Sequence, residues 1–150
     1  MKIIKDKQLV DNNWSHIVDD DAITPGDITL SLARWKKEKS ALADHVGKIG
    51  VRLAPSDLIE EIAGELNNIS LIGLEFPAFT DGRSFSQARI LRNRYHYKNE
   101  IRAMGDFMPD QVFYLSRVGV NAFQLKNTPD LDAALATMTD FTVKYQESTC

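Results

Sequence analysis

Residues 49–74 read IGVRLAPSDLIEEIAGELNNISLIGL, and their pattern decides the fold class. Ile49-Gly50-Val51-Arg52-Leu53 is the short, nearly continuous apolar run of a strand covered on both faces. Ala54-Pro55 closes it, because proline has no N–H to give to a ladder. Leu58, Ile59, Ile62, Ala63 and Leu66 then recur at the spacing of one helical face and stop at Asn67-Asn68. Ile69 to Leu74 is the next strand. A connection of this length leaves room for a helical crossover and is too long for a hairpin, so the two strands are predicted to run parallel.

The same alternation continues toward the C-terminus. Ser84-Phe85-Ser86-Gln87 has the S-x-x-Q form of a capping box, opening a helix with Phe85, Ala88, Leu91 and Tyr95 on its core face. Glu100 to Met104 is a strand ended by Gly105. Pro109 suits a first helical position, Val112, Phe113, Leu115 and Val118 follow at helical spacing, and Gly119 is a natural stop. Val120 to Leu125 is the last strand. Thr128 reads as an N-cap before Pro129, with Leu131, Ala134, Leu135, Met138 and Phe141 as an apolar stripe. Strands centred near Val51, Ile72, Ile101 and Phe123 are therefore expected in one mostly parallel α/β sheet, either open or part of a (β/α) barrel.

Toward the other end the pattern is less regular. Lys2–Ile4 and Gln8–Val10 suggest a small hairpin, Trp14–Val18 a further short strand, and Thr24-Pro25-Gly26-Asp27 a turn. Residues 1–27 are expected to form an antiparallel β appendage or dimerisation arm, the latter implying a homodimer. Ile28–Leu32 follows as a strand and Ala33–His45 as a helix with Lys36, Lys37, Glu38 and Lys39 on a solvated face. The whole of 1–150 is read as a single domain, a length that can bury a sizeable core.

Composition narrows the function. Hydrophobic residues make up 43% and charged residues 26%, with a net charge of −3, so no basic footprint for nucleic acid is present. The sequence has no signal-like h-region and no membrane-length apolar run, which places the expected compartment in the cytoplasm. The one cysteine, Cys150, can build neither a disulfide framework nor a zinc site within the chain. Dinucleotide, P-loop, nucleophile-elbow, C-x-x-C and H-E-x-x-H motifs are all missing, so no cofactor is expected.

In parallel α/β sheets ligands bind outside the carboxyl ends of the strands. That rule selects the loop Glu75 to Ser84 and the loop Gly105 to Gln111. Glu75, Asp81, Arg102 and Asp106 are the candidate catalytic residues, and Arg83, Ser84 and Arg89 the candidate anion-binding ones. The helix start at Ser84 would offer free N–H groups and Arg83 a charge. The same side chains also have a bracing role open to them. Asp81 could pair with Arg83 at the surface, and a buried Arg102 would need Glu75 or Asp106 as its carboxylate. The three histidines, His16, His45 and His96, have no metal-like or nucleophile-like spacing and read as incidental.

The block Gly73-Leu74-Glu75-Phe76-Pro77-Ala78-Phe79-Thr80-Asp81-Gly82-Arg83-Ser84, continuing to Arg92, resembles the signature of a bacterial family of unknown function. Glu100 to Asp106, Asp110-Gln111 and Gly119 to Phe123 are similar to that family's second block. Its members are labelled oxidoreductases of sulfite reduction and are encoded near assimilatory sulfite reductase. The resemblance implies an accessory role in sulfur assimilation, with sulfite reductase or another protein of that pathway as partner. The alternative is an enzyme or anion-binding protein acting on a small sulfur oxyanion at the carboxyl ends of the strands. The resemblance adds Thr80 and Gln111 to the candidate positions. It also implies glycine where His96 and Asn99 stand and aspartate where Asn121 stands.

Overall fold

The protein is described here from a computed structural model over residues 2–76, 83–105, 111–125 and 134–136. Strands β4 (Ile28–Ser31), β5 (Ile49–Leu53), β6 (Leu71–Phe76), β7 (Glu100–Gly105) and β8 (Ala122–Leu125) lie side by side, and each consecutive pair is parallel. The four strands expected from their apolar runs thus share one sheet.

The first residues depart from expectation. β1 (Lys2–Lys5) and β2 (Gln8–Asp11) do form an antiparallel hairpin, turned by Asp6 and Lys7 at φ of 52° and 67°. Positive φ at both central residues matches the right-handed twist of the flanking strands. The hairpin is no appendage, however: Ile4 pairs with Phe123, so β1 continues the sheet antiparallel to β8. β3 (Ser15–His16) pairs parallel with β4 at the opposite edge. The order is β2-β1-β8-β7-β6-β5-β4-β3.

This order dictates the shape. Laid flat, eight strands would separate the outer two by about 34 Å, at roughly 4.8 Å per pairing. Yet β2 ends at Asp11 and β3 begins at Ser15, a stretch that reaches about 14 Å when fully extended. The sheet must curl, and it forms an open half-barrel with two unlike faces.

One face carries Ile28, Leu30, Val51, Leu53, Ile72, Leu74, Ile101, Ala103 and Phe123, each with no exposed surface. Against it pack Leu32 and Trp35 of helix α1 (Leu32–Glu38), Ala88 of α2 (Arg83–Arg89), and Val112 and Leu115 of α3 (Gln111–Arg117). Leu91, from the π-helical turn Ile90–Arg94, joins them. The helix expected over 58–66 is instead two 3-10 pieces, Ile59–Glu61 and Ala63–Asn68. Ile59, Ile62 and Leu66 are buried as anticipated, but Leu58, expected on the same face, is 60% exposed, Gly64 is a poor helix former and Glu65 takes φ −126°. The helix expected over 33–45 likewise stops at Glu38, and a 3-10 turn, Ala41–Asp44, follows.

The expected capping box does not form either, because α2 already begins at Arg83 and Ser84 lies inside it. Ser84 Oγ donates to the Glu75 carbonyl, and Gln87 Nε2 donates to the carbonyls of Ala54 and Asp57. These two side chains fasten α2 to the ends of β5 and β6. The notional helix over 131–141 and the N-cap at Thr128 lie largely outside the described residues, of which 134–136 are helical. Among the described residues, no helix is long and apolar enough to cross a membrane.

The other face is concave, since side chains from distant strands meet across it. Its middle layer runs Ser31, Arg52, Gly73, Arg102, Ala122 across five strands, with small residues alternating with arginines. Below Arg52 sits Gly50, where a Cβ would stand 2.8 Å from the Leu71 carbonyl oxygen and 3.1 Å from Thr29 Cγ2. Backbone has to move to admit it. Gly50→Ala is expected to lower unfolding stability by about 1 to 3 kcal/mol. Gly64→Ala, which meets nothing within 4 Å, should be neutral or mildly stabilising. Urea denaturation of both variants checks the contrast.

Candidate functional site

Parallel neighbours in register point their side chains to the same face, so each strand's polar residue at alternate positions falls on the concave side. β3 contributes His16, β4 Thr29 and Ser31, β5 Arg52, β6 Glu75, β7 Glu100 and Arg102, and β8 Gln124. Thr29, Arg52, Glu100 and Arg102 are buried. Buried polar groups require partners, and here they find them in one another.

The hydrogen bonds form a directed chain. Arg52 Nη1 donates to Thr29 Oγ1 at 2.8 Å, and Thr29 Oγ1 lies 2.6 Å from His16 Nδ1. His16 Nε2 is 2.9 Å from Gln124 Oε1, which also accepts from Arg102 Nη1 at 3.1 Å. Because Gln124 Oε1 can only accept, Nε2 carries the imidazole proton. Nδ1 is then the acceptor for the Thr29 hydroxyl, whose own lone pair takes the arginine N–H. Every donor and acceptor is matched only if His16 is neutral. Burial holds its pKa below the ordinary 6.5, and the charges of Arg102 and Arg52 push the same way against the Gln124 hydrogen bond.

The two arginines differ in how they are neutralised. Arg102 has 1% of its surface exposed and donates Nε to Glu100 Oε2 at 2.7 Å and Nη1 to Asn12 Oδ1 at 2.9 Å. Glu100 Oε1 in turn pairs with Lys5 at 3.2 Å. Arg52 is held by neutral oxygens, those of Thr29 and the Ile17 carbonyl, which accepts from Nη2 at 2.7 Å. Its carboxylate neighbour Glu75 stands 3.8 Å from Nε, with 44% of its side chain exposed. Desolvation pulls the Arg52 pKa down, opposed by Glu75 and Asp19.

Of the residues singled out from sequence, Glu75 and Arg102 come together on this face, one layer apart on β6 and β7. The carboxylate that Arg102 takes among the described residues is Glu100, not Glu75, because residues two apart on a strand share a face. Ser84 is fully buried with its hydroxyl committed to Glu75's carbonyl, and Arg83 opens α2. Arg89 is exposed and lines a separate depression between α2 and α3 with Phe85, Gln111, Tyr114, Arg117 and Val118. Thr80, Asp81 and Asp106 lie outside the described residues.

Sequence reasoning missed Asn12, His16, Thr29, Glu100 and Gln124. The available signal was a single polar residue flanked by apolar ones, as in Ile28-Thr29-Leu30 and Phe123-Gln124-Leu125. Arg92 braces loops through the Gly119, Tyr97 and Asn99 carbonyls and Asn121 Oδ1. His96 takes φ 54°, a region glycine enters without cost. Among the described residues no group of three or more His, Cys, Asp or Glu side chains could hold a metal ion.

Two outcomes follow for stability. A depressed histidine pKa means that the unfolded chain takes up the proton first. His16 therefore contributes fully above pH 6.5, and its contribution is lost as pH falls from there through the lower folded value. The urea midpoint of the wild type should drop more between pH 7.5 and pH 5 than that of His16→Gln. Glu100→Ala leaves a buried guanidinium without its carboxylate and should cost about 3 kcal/mol or more at neutral pH, read from the same denaturation curves.

No curated protein matches the chain. The family described as bacterial protein of unknown function (DUF934) matches residues 50–150, which take in β6 to β8 and all of β5 but Ile49, with Arg52, Glu75, Glu100, Arg102 and Gln124. With more than half of its length matched, the chain belongs to this family.

Proposed function

We propose that the protein is an accessory of assimilatory sulfite reduction that holds a small sulfur oxyanion at the carboxyl end of its strands and needs no redox cofactor of its own. The pathway half of this reading is supported by the resemblance of residues 73–92, 100–106 and 119–123 to proteins labelled for sulfite reduction. The site half is carried by one observation. Among the described residues Arg52 is a buried guanidinium held by neutral oxygens, with the Glu75 carboxylate loosely placed at 3.8 Å. A buried cation without a close counterion is costly, and an oxyanion with several oxygens supplies what Glu75 does not. Glu75, nearly half exposed, can swing into solvent and yield its place.

Isothermal titration with sulfite and with sulfate tests the site. Arg52→Gln should weaken binding by about tenfold or more, and Glu75→Gln should tighten it several-fold by removing the competing carboxylate. The second variant keeps the test sound if the first folds poorly. Absence of binding by either anion to the wild type would sink the site half. For the pathway half, a strain lacking the gene should grow poorly on sulfate or sulfite and normally on cysteine. Equal growth on all of them excludes that role.

A further inference from the structure

At the opposite, amino-terminal end of the strands, a pocket of about 500 Å³ opens on the concave side, walled by Lys5, Lys48 and Lys98 with Trp14, Ser70 and Glu100. We propose that it is a second binding site, for a small multiply charged oxyanion of the phosphate class. Its volume lies within the range of small-molecule sites.

Charge is the first argument. The chain carries −3 overall, yet the lining of this pocket holds three lysines and one carboxylate. That carboxylate, Glu100, is already paired on both oxygens, with Arg102 at 2.7 Å and Lys5 at 3.2 Å. It therefore does not cancel Lys48 and Lys98, which have no ion-pair partner among the described residues. A concave wall concentrates such a field more than a flat surface does.

The second argument is that the floor is built rather than incidental. Asn12 Oδ1 accepts from the Trp14 backbone N–H at 3.0 Å and from Arg102 Nη1 at 2.9 Å, which ties the loop bearing Trp14 to the buried network. Among the described residues the Trp14 indole N–H has no acceptor, so the lining of the pocket includes an uncommitted donor and an aromatic side chain. Lysine offers a point charge rather than a fork, which suits phosphate oxygens in varied orientations. The free oxyanion or one carried on a planar ring stacked on Trp14 satisfies the same chemistry.

Trp14 also reports on the site. The full-length protein is titrated with inorganic pyrophosphate and, separately, with adenosine monophosphate, following tryptophan fluorescence and, independently, heat. Saturable binding of either at millimolar concentration or below is expected. Tighter binding of the nucleotide identifies a ring-bearing ligand, and tighter binding of pyrophosphate identifies the bare anion. The double variant Lys48→Glu, Lys98→Glu should weaken binding by about tenfold or more with an unchanged urea midpoint, since both side chains are exposed. The proposal is overturned by absence of saturation with both probes, by equal binding to the double variant, or by adenosine binding as tightly as its phosphate. Because Arg52→Gln leaves this pocket untouched, failure here and failure of the site near Glu75 are told apart by which variant matters.

Discussion

The step from β2 to β3 is the constraint on which the architecture rests. Three residues, Asn12, Asn13 and Trp14, join the two outermost strands of an eight-stranded sheet. So short a tether cannot cross a flat sheet, and the curl it imposes creates an inside and an outside. The outside takes the helices and the apolar core. The inside is too narrow to be lined by large side chains everywhere, and Gly50, Gly73 and Ala122 give the room that Arg52 and Arg102 occupy. At Gly73 the fit is close: a Cβ would lie 2.6 Å from Met104 Sδ and 3.5 Å from Arg52 Cγ.

Curling also solves a problem that it raises. The two edges are not joined by a ladder, so the strands that face each other across the hollow must be held by side chains. His16 and Gln124, five pairings apart in the sheet order, meet at 2.9 Å, and Arg102 reaches Asn12 beyond β2. These contacts lie in a low-dielectric interior, where a matched hydrogen bond is strong and an unmatched one is expensive. The inner face is consequently a place where single side chains govern both shape and charge.

The sequence made the parallel set legible because every strand keeps one wholly apolar face, as with Val51 and Leu53 or Ile72 and Leu74, and the strands follow one another at crossover spacing. It made the hairpin legible through two short β-prone pieces with a charged turn between them. What stayed hidden was tertiary. Nothing local to residues 1–16 says that β1 seeks Phe123 while β3 seeks Ile28. The 3-10 pieces at 59–68 kept the burial of a helix without its hydrogen bonding, since apolar spacing reports a face and not a backbone conformation. For the site, Glu75 and Arg102 were visible as charges in apolar strands. His16, Thr29 and Gln124 were not, because an uncharged polar residue in a strand reads as solvent-facing until the curl is known.

The pairing of Ile4 with Phe123 has a consequence for how the molecule comes into being. It gives the sheet a very high contact order, and folds rich in such distant pairings are slow to form. During synthesis, at about 5 to 20 residues per second, β1 and β2 emerge roughly 6 to 24 s before the strand they join. An isolated two-stranded hairpin is at best marginally stable in water, so in that interval the inner edge of β1 is an unpaired template carrying Ile3 and Ile4. The nascent chain is therefore most exposed to wrong pairing, with itself or with a neighbour on the same message, until residue 125 has left the ribosome.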